Sequence, residues 1–140
     1  MGKKKLIIII VAVVLVLAII GVVAVVLINN STKEKPIVYY EIQLDEEYSN
    51  LADTNSAKIV KYRVTIEYTD EKMLAEIEKN KTRIRNNIDE IMRSTLSEDI
   101  AKANGKQRLR DRIKDMVIDV LDTDEDVITN IYIQPFVVQG

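Results

Sequence analysis

The stretch VKYRVTIEYTD, Val60–Asp70, decides the fold of most of this 140-residue chain. Apolar and polar side chains alternate along it, which is the pattern of a strand with one buried and one solvated face. At Thr69-Asp70 the period changes, and aspartate is among the residues that cap helix N-termini. Apolar residues then recur at helical spacing, which predicts an amphipathic helix over Glu71–Arg93.

The sequence before this unit predicts one more strand. Ile37–Leu44 alternates in the manner of a strand with one mostly buried side. Asp45–Ala57 is polar and acidic, and we expect a loop or a ragged extension of the strand there.

The sequence after it predicts a short helical turn, a further helix and a closing strand. Ser97 is the expected cap of the short turn, and a break at Asn104-Gly105 precedes a helix that begins near Lys106. Val127–Val138 is β-branched and largely apolar on both sides, which predicts an inner strand with a bulge or break at Pro135. The main order β-β-α-α-β predicts one α+β domain.

A separate segment precedes this domain. Leu6–Ile28 is an unbroken apolar run that includes Gly21, and about 20 such residues cross a bilayer core of roughly 30 Å. A cleaved signal peptide would have a shorter apolar region and a small-x-small cleavage site, which the end of this run does not offer. Lysines precede the run, so the positive-inside bias predicts a cytoplasmic N-terminus and an outer domain. The expected organisation is a cytoplasmic tail at 1–5, a transmembrane helix at 6–28, a linker at 29–36 and an outer domain at 37–140.

Residue usage narrows the functions open to the domain. Three of the 20 basic residues are the lysines before the apolar run, so the rest of the chain carries 17 basic and all 22 acidic residues. A mildly acidic domain is a poor binder of nucleic acid. Histidine and cysteine are absent, which removes the usual general base, the histidine-paired nucleophiles, the common zinc ligands and any disulfide. We therefore expect no enzyme, no cofactor and no metal, although carboxylates and lysines leave catalysis open.

The acidic turn near the closing strand resembles the start of a calcium loop. Asp122, Asp124 and Asp126 have the required spacing, but Val127 and Ile133 stand where that loop needs Gly and Glu. A solvated turn between helix and strand is the better interpretation.

The charged helical faces have two interpretations. Arginines such as Arg108 and Arg112 are interspersed with acids such as Asp111, and mixed signs are typical of a solvated surface. The sharper alternative is a contact between subunits in which these charges set the register.

Taken together, these features resemble the FliL family, the flagellar basal body-associated proteins. The resemblance rests on a basic start, one span, a short linker, the strand Lys61–Tyr68 and the helix opening at Asn104-Gly105-Lys106. The most specific part is the ending Ile131–Gln139, which resembles the family's closing strand, and in which Pro135 departs from the expected small or acidic residue. The residues that match the closing motif are Tyr132, Phe136, Val137, Val138 and Gln139.

The resemblance implies a stomatin/prohibitin-like outer domain and a homo-oligomeric ring associated with the stator. The implied partners are stator proteins of the MotA/MotB type, the basal body ring and the cell membrane. The implied role is structural and regulatory, in support of stator recruitment or activation, torque and swimming or swarming. By position, the stator-contact candidates are Asn29, Asn30, Lys33 and Pro36, and the ring-contact candidates are Arg108, Asp111 and Arg112. The alternative is a single-span scaffold or ligand sensor of another envelope assembly.

Overall fold

The structure is a computed structural model that describes residues 2–140. Met1, the first residue of the expected cytoplasmic tail, lies outside the described residues. The chain divides into a helical unit that ends at Ile37 and a compact unit that begins at Val38.

Helix α1, Lys3–Ser31, forms the first unit and is long and apolar enough to cross a membrane. It continues past the apolar run because the hydroxyls of Ser31 and Thr32 donate to main-chain carbonyls one turn earlier, at 2.8 and 3.1 Å. The Ile28 carbonyl also accepts the backbone N–H of Thr32, and the Thr32 hydroxyl lies 3.2 Å from the carbonyl oxygen of Asn29, one of the acceptors that the end of a helix leaves open. The first two residues after the apolar run, Asn29 and Asn30, are therefore helical.

Strand β3, Ile59–Tyr68, is the centre of an antiparallel sheet in the second unit. Strands β1, Tyr40–Gln43, and β2, Glu47–Asn50, pair with its two halves along one edge. Strand β4, Ile128–Gln139, pairs along the other edge. The α+β class and the alternation along β3 are confirmed. The inward residues are all buried, and they are Val60, Tyr62, Val64, Ile66 and Tyr68.

Two predictions about the sheet are wrong. Within the described residues β4 pairs only with β3, so it is an edge strand and not an inner one. It is apolar on both sides because Ile128 and Ile131 enter the core while Tyr132 and Val137 lie on the open sheet face. The predicted loop after β1 contains β2, a strand too short and polar to be recognised by alternation.

The predicted irregularity at Pro135 is confirmed. Tyr62 pairs with Phe136 and Val64 pairs with Ile133, so the register of β4 shifts across Gln134-Pro135. A ring nitrogen without a proton cannot donate to the ladder, and the shift accommodates it.

Three helices complete the domain: α2, Met73–Arg93, α3, Ser97–Ala101, and α4, Gly105–Leu121. Helices α2 and α4 cover the inner face of the sheet, and each buries one apolar row. The row of α2 is Ile77, Ile84, Ile88 and Met92, and that of α4 is Leu109, Ile113, Val117 and Leu121. The opposite face of the sheet carries no helix of the described residues.

Helix α2 starts two residues later than the sequence predicts. Asp70 is not its N-cap; instead its carboxylate accepts from the backbone N–H of Lys72 at 3.0 Å and its carbonyl accepts from Met73 at 2.9 Å. Asp70 thus forms a turn of its own, an arrangement that aspartate favours over helix interiors.

The junction of α3 and α4 depends on a glycine. Asn104 has φ 60°, a left-handed conformation that asparagine tolerates, and Gly105 is buried against the end of α3. A Cβ at position 105 would lie 2.2 Å from the carbonyl oxygen of Asp99 and 2.4 Å from that of Ile100. Only glycine allows the two backbones to approach this closely.

We expect Gly105→Ala to destabilise the domain by about 1–3 kcal/mol, because the methyl group must push two backbone segments apart. Thermal unfolding of the full chain in detergent, followed by circular dichroism, measures the change. The matched control is Gly21→Ala, whose Cβ meets nothing within 4 Å. Equal midpoints for the two variants would contradict the close approach at Gly105.

Candidate functional site

The candidate residues for the membrane and the stator are exposed along the first unit. Leu6, Gly21 and Ile28 lie on α1 and face outward. Of the stator-contact candidates, Asn29 and Asn30 lie in the last turn of α1. Lys33 lies in the bend that follows it, and Pro36 lies in the irregular segment before β1. The four candidates form one short, solvent-accessible stretch.

The closing motif lies in β4, where one of its side chains packs against the core and others are exposed. Phe136 packs against the core, and the Lys106 ammonium lies 5.5 Å from its ring centroid. Val137 and Tyr132 are about two-fifths exposed, and the Tyr132 hydroxyl donates to Glu67 at 2.9 Å. That hydrogen bond to a carboxylate raises the pKa of Tyr132. The motif therefore joins the last strand to both α4 and β3.

Arg108 and Arg112 donate hydrogen bonds to groups at the C-terminal ends of two other helices. Arg108 donates to the carbonyl oxygens of Ala103 and Asp99 at 3.0 and 3.4 Å, beside the end of α3. Arg112 donates to the hydroxyls of Ser94 and Thr95, both at 3.1 Å, where α2 ends. Positive charge near a helix C-terminus is favourable because open carbonyls point there.

These two arginines line a cleft of about 190 Å³ at the junction of α2, α3 and α4. Each guanidinium has five N–H donors, and two of them are used internally. The structure therefore brings two of the ring-contact candidates together, in positions where they also stabilise the fold. Asp111 lies on the outer side of α4, where it accepts from the Gln107 amide at 2.7 Å.

The charges of α4 are sorted into rows. Residues four apart lie on the same side of a helix. A basic row consists of Lys106, Arg110 and Lys114, and an acidic row consists of Asp111, Asp115 and Asp119. Within the described residues, none of the eight charged side chains of α4 takes part in an ion pair.

A polar cross-link between β2 and α2 was not predicted. The Ser49 hydroxyl is buried and lies 3.0 Å from the Tyr62 hydroxyl, and it donates to the Asp89 carboxylate. Beside it, Arg85 forms a two-pronged contact with Glu47. Burial raises the pKa of the Tyr62 phenol. Ser49 and Asp89 are 40 residues apart in the sequence, and Glu47 and Arg85 are 38 apart, so no local pattern could reveal these pairs.

A second long-range contact replaces the predicted helix cap. Ser97 is the first residue of α3 and not its N-cap, and its backbone N–H and hydroxyl donate to the Asp53 carboxylate at 2.9 and 2.6 Å. The hydroxyl bond, followed by the backbone bond, lowers the pKa of Asp53. The loop before β3 therefore caps α3 from a distance.

The described residues hold no group of three or more His, Cys, Asp or Glu side chains arranged to bind a metal ion. The narrow cleft beside Arg85 and Tyr62 has a volume of about 10 Å³, which is room for about one water molecule. Larger open clefts of about 730 and 550 Å³ lie between α2 and α4 and on the open face of the sheet. The charged rows of α4 and the exposed stretch after α1 are the surfaces singled out by charge and exposure.

The family models give one functional indication. The model described as "Flagellar basal body-associated protein FliL" matches residues 41–139, which is the greater part of the chain and nearly all of the α+β unit. Comparison with curated proteins gives no match.

We expect Ser49→Ala to cost about 1–3 kcal/mol, because it leaves a buried phenol and a carboxylate without their shared partner. Adding Tyr62→Phe should recover part of the loss by removing one orphaned group. Chemical unfolding of the full chain in detergent provides the measurement, with the exposed Ser56→Ala as the matched control. A loss no larger than that of the control would show that the cross-link contributes nothing.

We expect Asp53→Asn to lower the thermal midpoint in a pH-dependent way. The folded pKa of Asp53 lies below the unfolded value of about 3.9, so its contribution is present above that value and disappears as the pH falls through the folded pKa. The difference in midpoint between the wild type and the variant should be largest near neutral pH and shrink in acid. Asp124→Asn, in an exposed turn, is the control, and a difference that stays constant down to low pH would contradict the assignment.

Proposed function

The chain belongs to the FliL family of flagellar basal body-associated proteins, and on this premise we propose that it is a structural and regulatory part of the bacterial flagellar motor. In this proposal its copies form a homo-oligomeric ring associated with the stator. The ring supports recruitment or activation of stator units of the MotA/MotB type, and hence torque and swimming or swarming. The role is not enzymatic.

One observation carries the proposal: the family match covers the domain that follows a helix of membrane-spanning length. The lysines at the start of α1, before its apolar run, favour a cytoplasmic N-terminus. The organisation we propose is a tail at 1–5, a span at 6–28, a linker at 29–36 and an outer, extracytoplasmic domain at 37–140. A domain held this close to the membrane is in reach of other membrane proteins, since eight linker residues extend to at most about 26 Å.

We place the stator contact at Asn29, Asn30, Lys33 and Pro36. The exposure of all four residues and the polar character of the first three support this choice, because the stretch presents amide and ammonium groups to the solvent. We propose that the closing motif of β4 stabilises the domain. It completes the pairing of β3, and its Phe136 ring contacts the Lys106 ammonium.

Ring contacts are proposed at Arg108, Arg112 and Asp111. The two guanidinium groups keep free N–H donors at the rim of their cleft, and Asp111 is exposed on the outer side of α4. Because both arginines also hold helix ends, reversing their charge would alter the fold as well as any contact.

A fluorescent protein fused to the N-terminus tests the proposal in cells with and without their stator genes. We expect foci at flagellar bases that weaken when the stator is deleted. The matched control is a fusion that ends at Pro36, which keeps the span and lacks the domain, and should spread through the membrane. Foci that persist unchanged without the stator would reject stator association in favour of anchoring by the basal body. A uniform signal from the full chain would reject the motor role altogether.

A further inference from the structure

Three consecutive apolar side chains are exposed just before β1. Ile37, Val38 and Tyr39 are 66%, 55% and 57% exposed. Among residues 32–140, this is the one run in which three consecutive large apolar side chains are each more than half exposed. A contiguous apolar surface of this kind marks a place where a folded chain meets a partner or a membrane.

The sheet does not cover these three residues. Strand β1 begins at Tyr40, which pairs with Tyr68, and Tyr68 is the last residue of β3. Residues 37–39 therefore extend past the end of the sheet, in an irregular segment. Their exposure follows from this position, since β3 has no further residue to pair with them.

The length of chain between this run and α1 limits where the run can lie. The apolar run of α1 ends at Ile28, and the helix continues for three more residues to Ser31. With five further residues before Ile37, the run is held within about 21 Å of the end of the apolar part of the helix. The headgroup region on each side of a bilayer core is roughly 5–8 Å thick, so the chain can bring the run back to it.

The residue types fit the boundary between lipid headgroups and acyl chains. Tyrosine is enriched at this boundary because its ring is apolar and its hydroxyl can remain in contact with water. Ile37 and Val38 add apolar surface whose transfer out of water is favourable. An irregular backbone is excluded from the bilayer core, but the hydrated headgroup region can satisfy its polar groups.

We propose that Ile37, Val38 and Tyr39 insert into the lipid interface of the membrane that α1 crosses. The chain then meets the bilayer twice, first as a span and again at this run, and the linker at 29–36 forms a loop between the two attachments. This inference goes beyond the proposed motor role. It requires only that α1 lies in a bilayer, and it holds on either side of the membrane.

Tryptophan fluorescence tests the insertion directly, because the native chain contains no tryptophan. Full-chain variants with Tyr39→Trp, Glu34→Trp or Tyr48→Trp are reconstituted in phosphatidylcholine vesicles whose acyl chains carry bromine, a quencher of nearby indole rings. Position 34 is nearer to the span, so a chain that simply leaves the membrane would be quenched more strongly there. We expect the reverse, with quenching several-fold stronger at position 39 than at position 34.

Tyr48→Trp is the matched control for the domain as a whole, since Tyr48 is 62% exposed on β2. Its quenching should be several-fold weaker than that at position 39. Quenching at position 39 that is no stronger than at either of the other two positions would overturn the proposal. Such a result in pure lipid would leave a second protein as the occupant of the run.

A second test removes the apolar side chains beside the reporter. Ile37→Ser and Val38→Ser, added together to Tyr39→Trp, should lower the quenching several-fold. Circular dichroism should show an unchanged fold, because both side chains are exposed. Leu74→Ser, at a position 46% exposed on α2, is the matched control and should leave the quenching as it was.

Quenching that survives the two serine substitutions would show that the run does not insert and would overturn the proposal. Flagellar foci of the fluorescent fusion report on the motor role separately. Either proposal can therefore fail alone.

Discussion

The pairing of β3 on both sides is the constraint on which the rest of the domain depends. Strands β1 and β2 have four residues each and pair with different halves of β3, so neither could persist without it. Strand β4 lies along the opposite edge, and α2 and α4 pack on the side chains that β3 turns inward. The five inward residues of this one strand therefore connect both edges of the sheet to both covering helices.

The long elements could be predicted because their periodicity is long and uninterrupted. Strand β3 alternates over its whole length, and helices α2 and α4 each carry an apolar pattern of four turns or more, so the burial of one face decides their structure. Helix α1 is apolar all round, and its length and composition decide it. Strand β2 escaped prediction because its one buried residue, Ser49, is polar and depends on Asp89 far along the chain. The edge position of β4 could not be predicted, because apolar residues on both sides of a strand generally indicate that it is buried. Here one of the two sides lies on an open face of the sheet.

The candidate surfaces were only partly visible in the sequence. The residues of the α4 rows can be found from spacing alone, and mixed signs on a helix favour a solvated surface. Whether those charges are satisfied inside the chain depends on what packs beside them, which only the structure shows. The structure divides the arginines of α4 into two kinds. Arg108 and Arg112 donate hydrogen bonds at the ends of α3 and α2, while Arg110 donates one to Gln107 of its own helix.

The contrast between α2 and α4 bears on how a small membrane-anchored domain makes contacts. Helix α2 forms ion pairs along its own length and, through Arg85, with β2. Helix α4 is stabilised by the row of apolar residues it buries, and burial of four such side chains outweighs the repulsion among exposed charges that water already screens. The charged surface of α4 therefore depends on the apolar row packed beneath the helix and not on ion pairs along it.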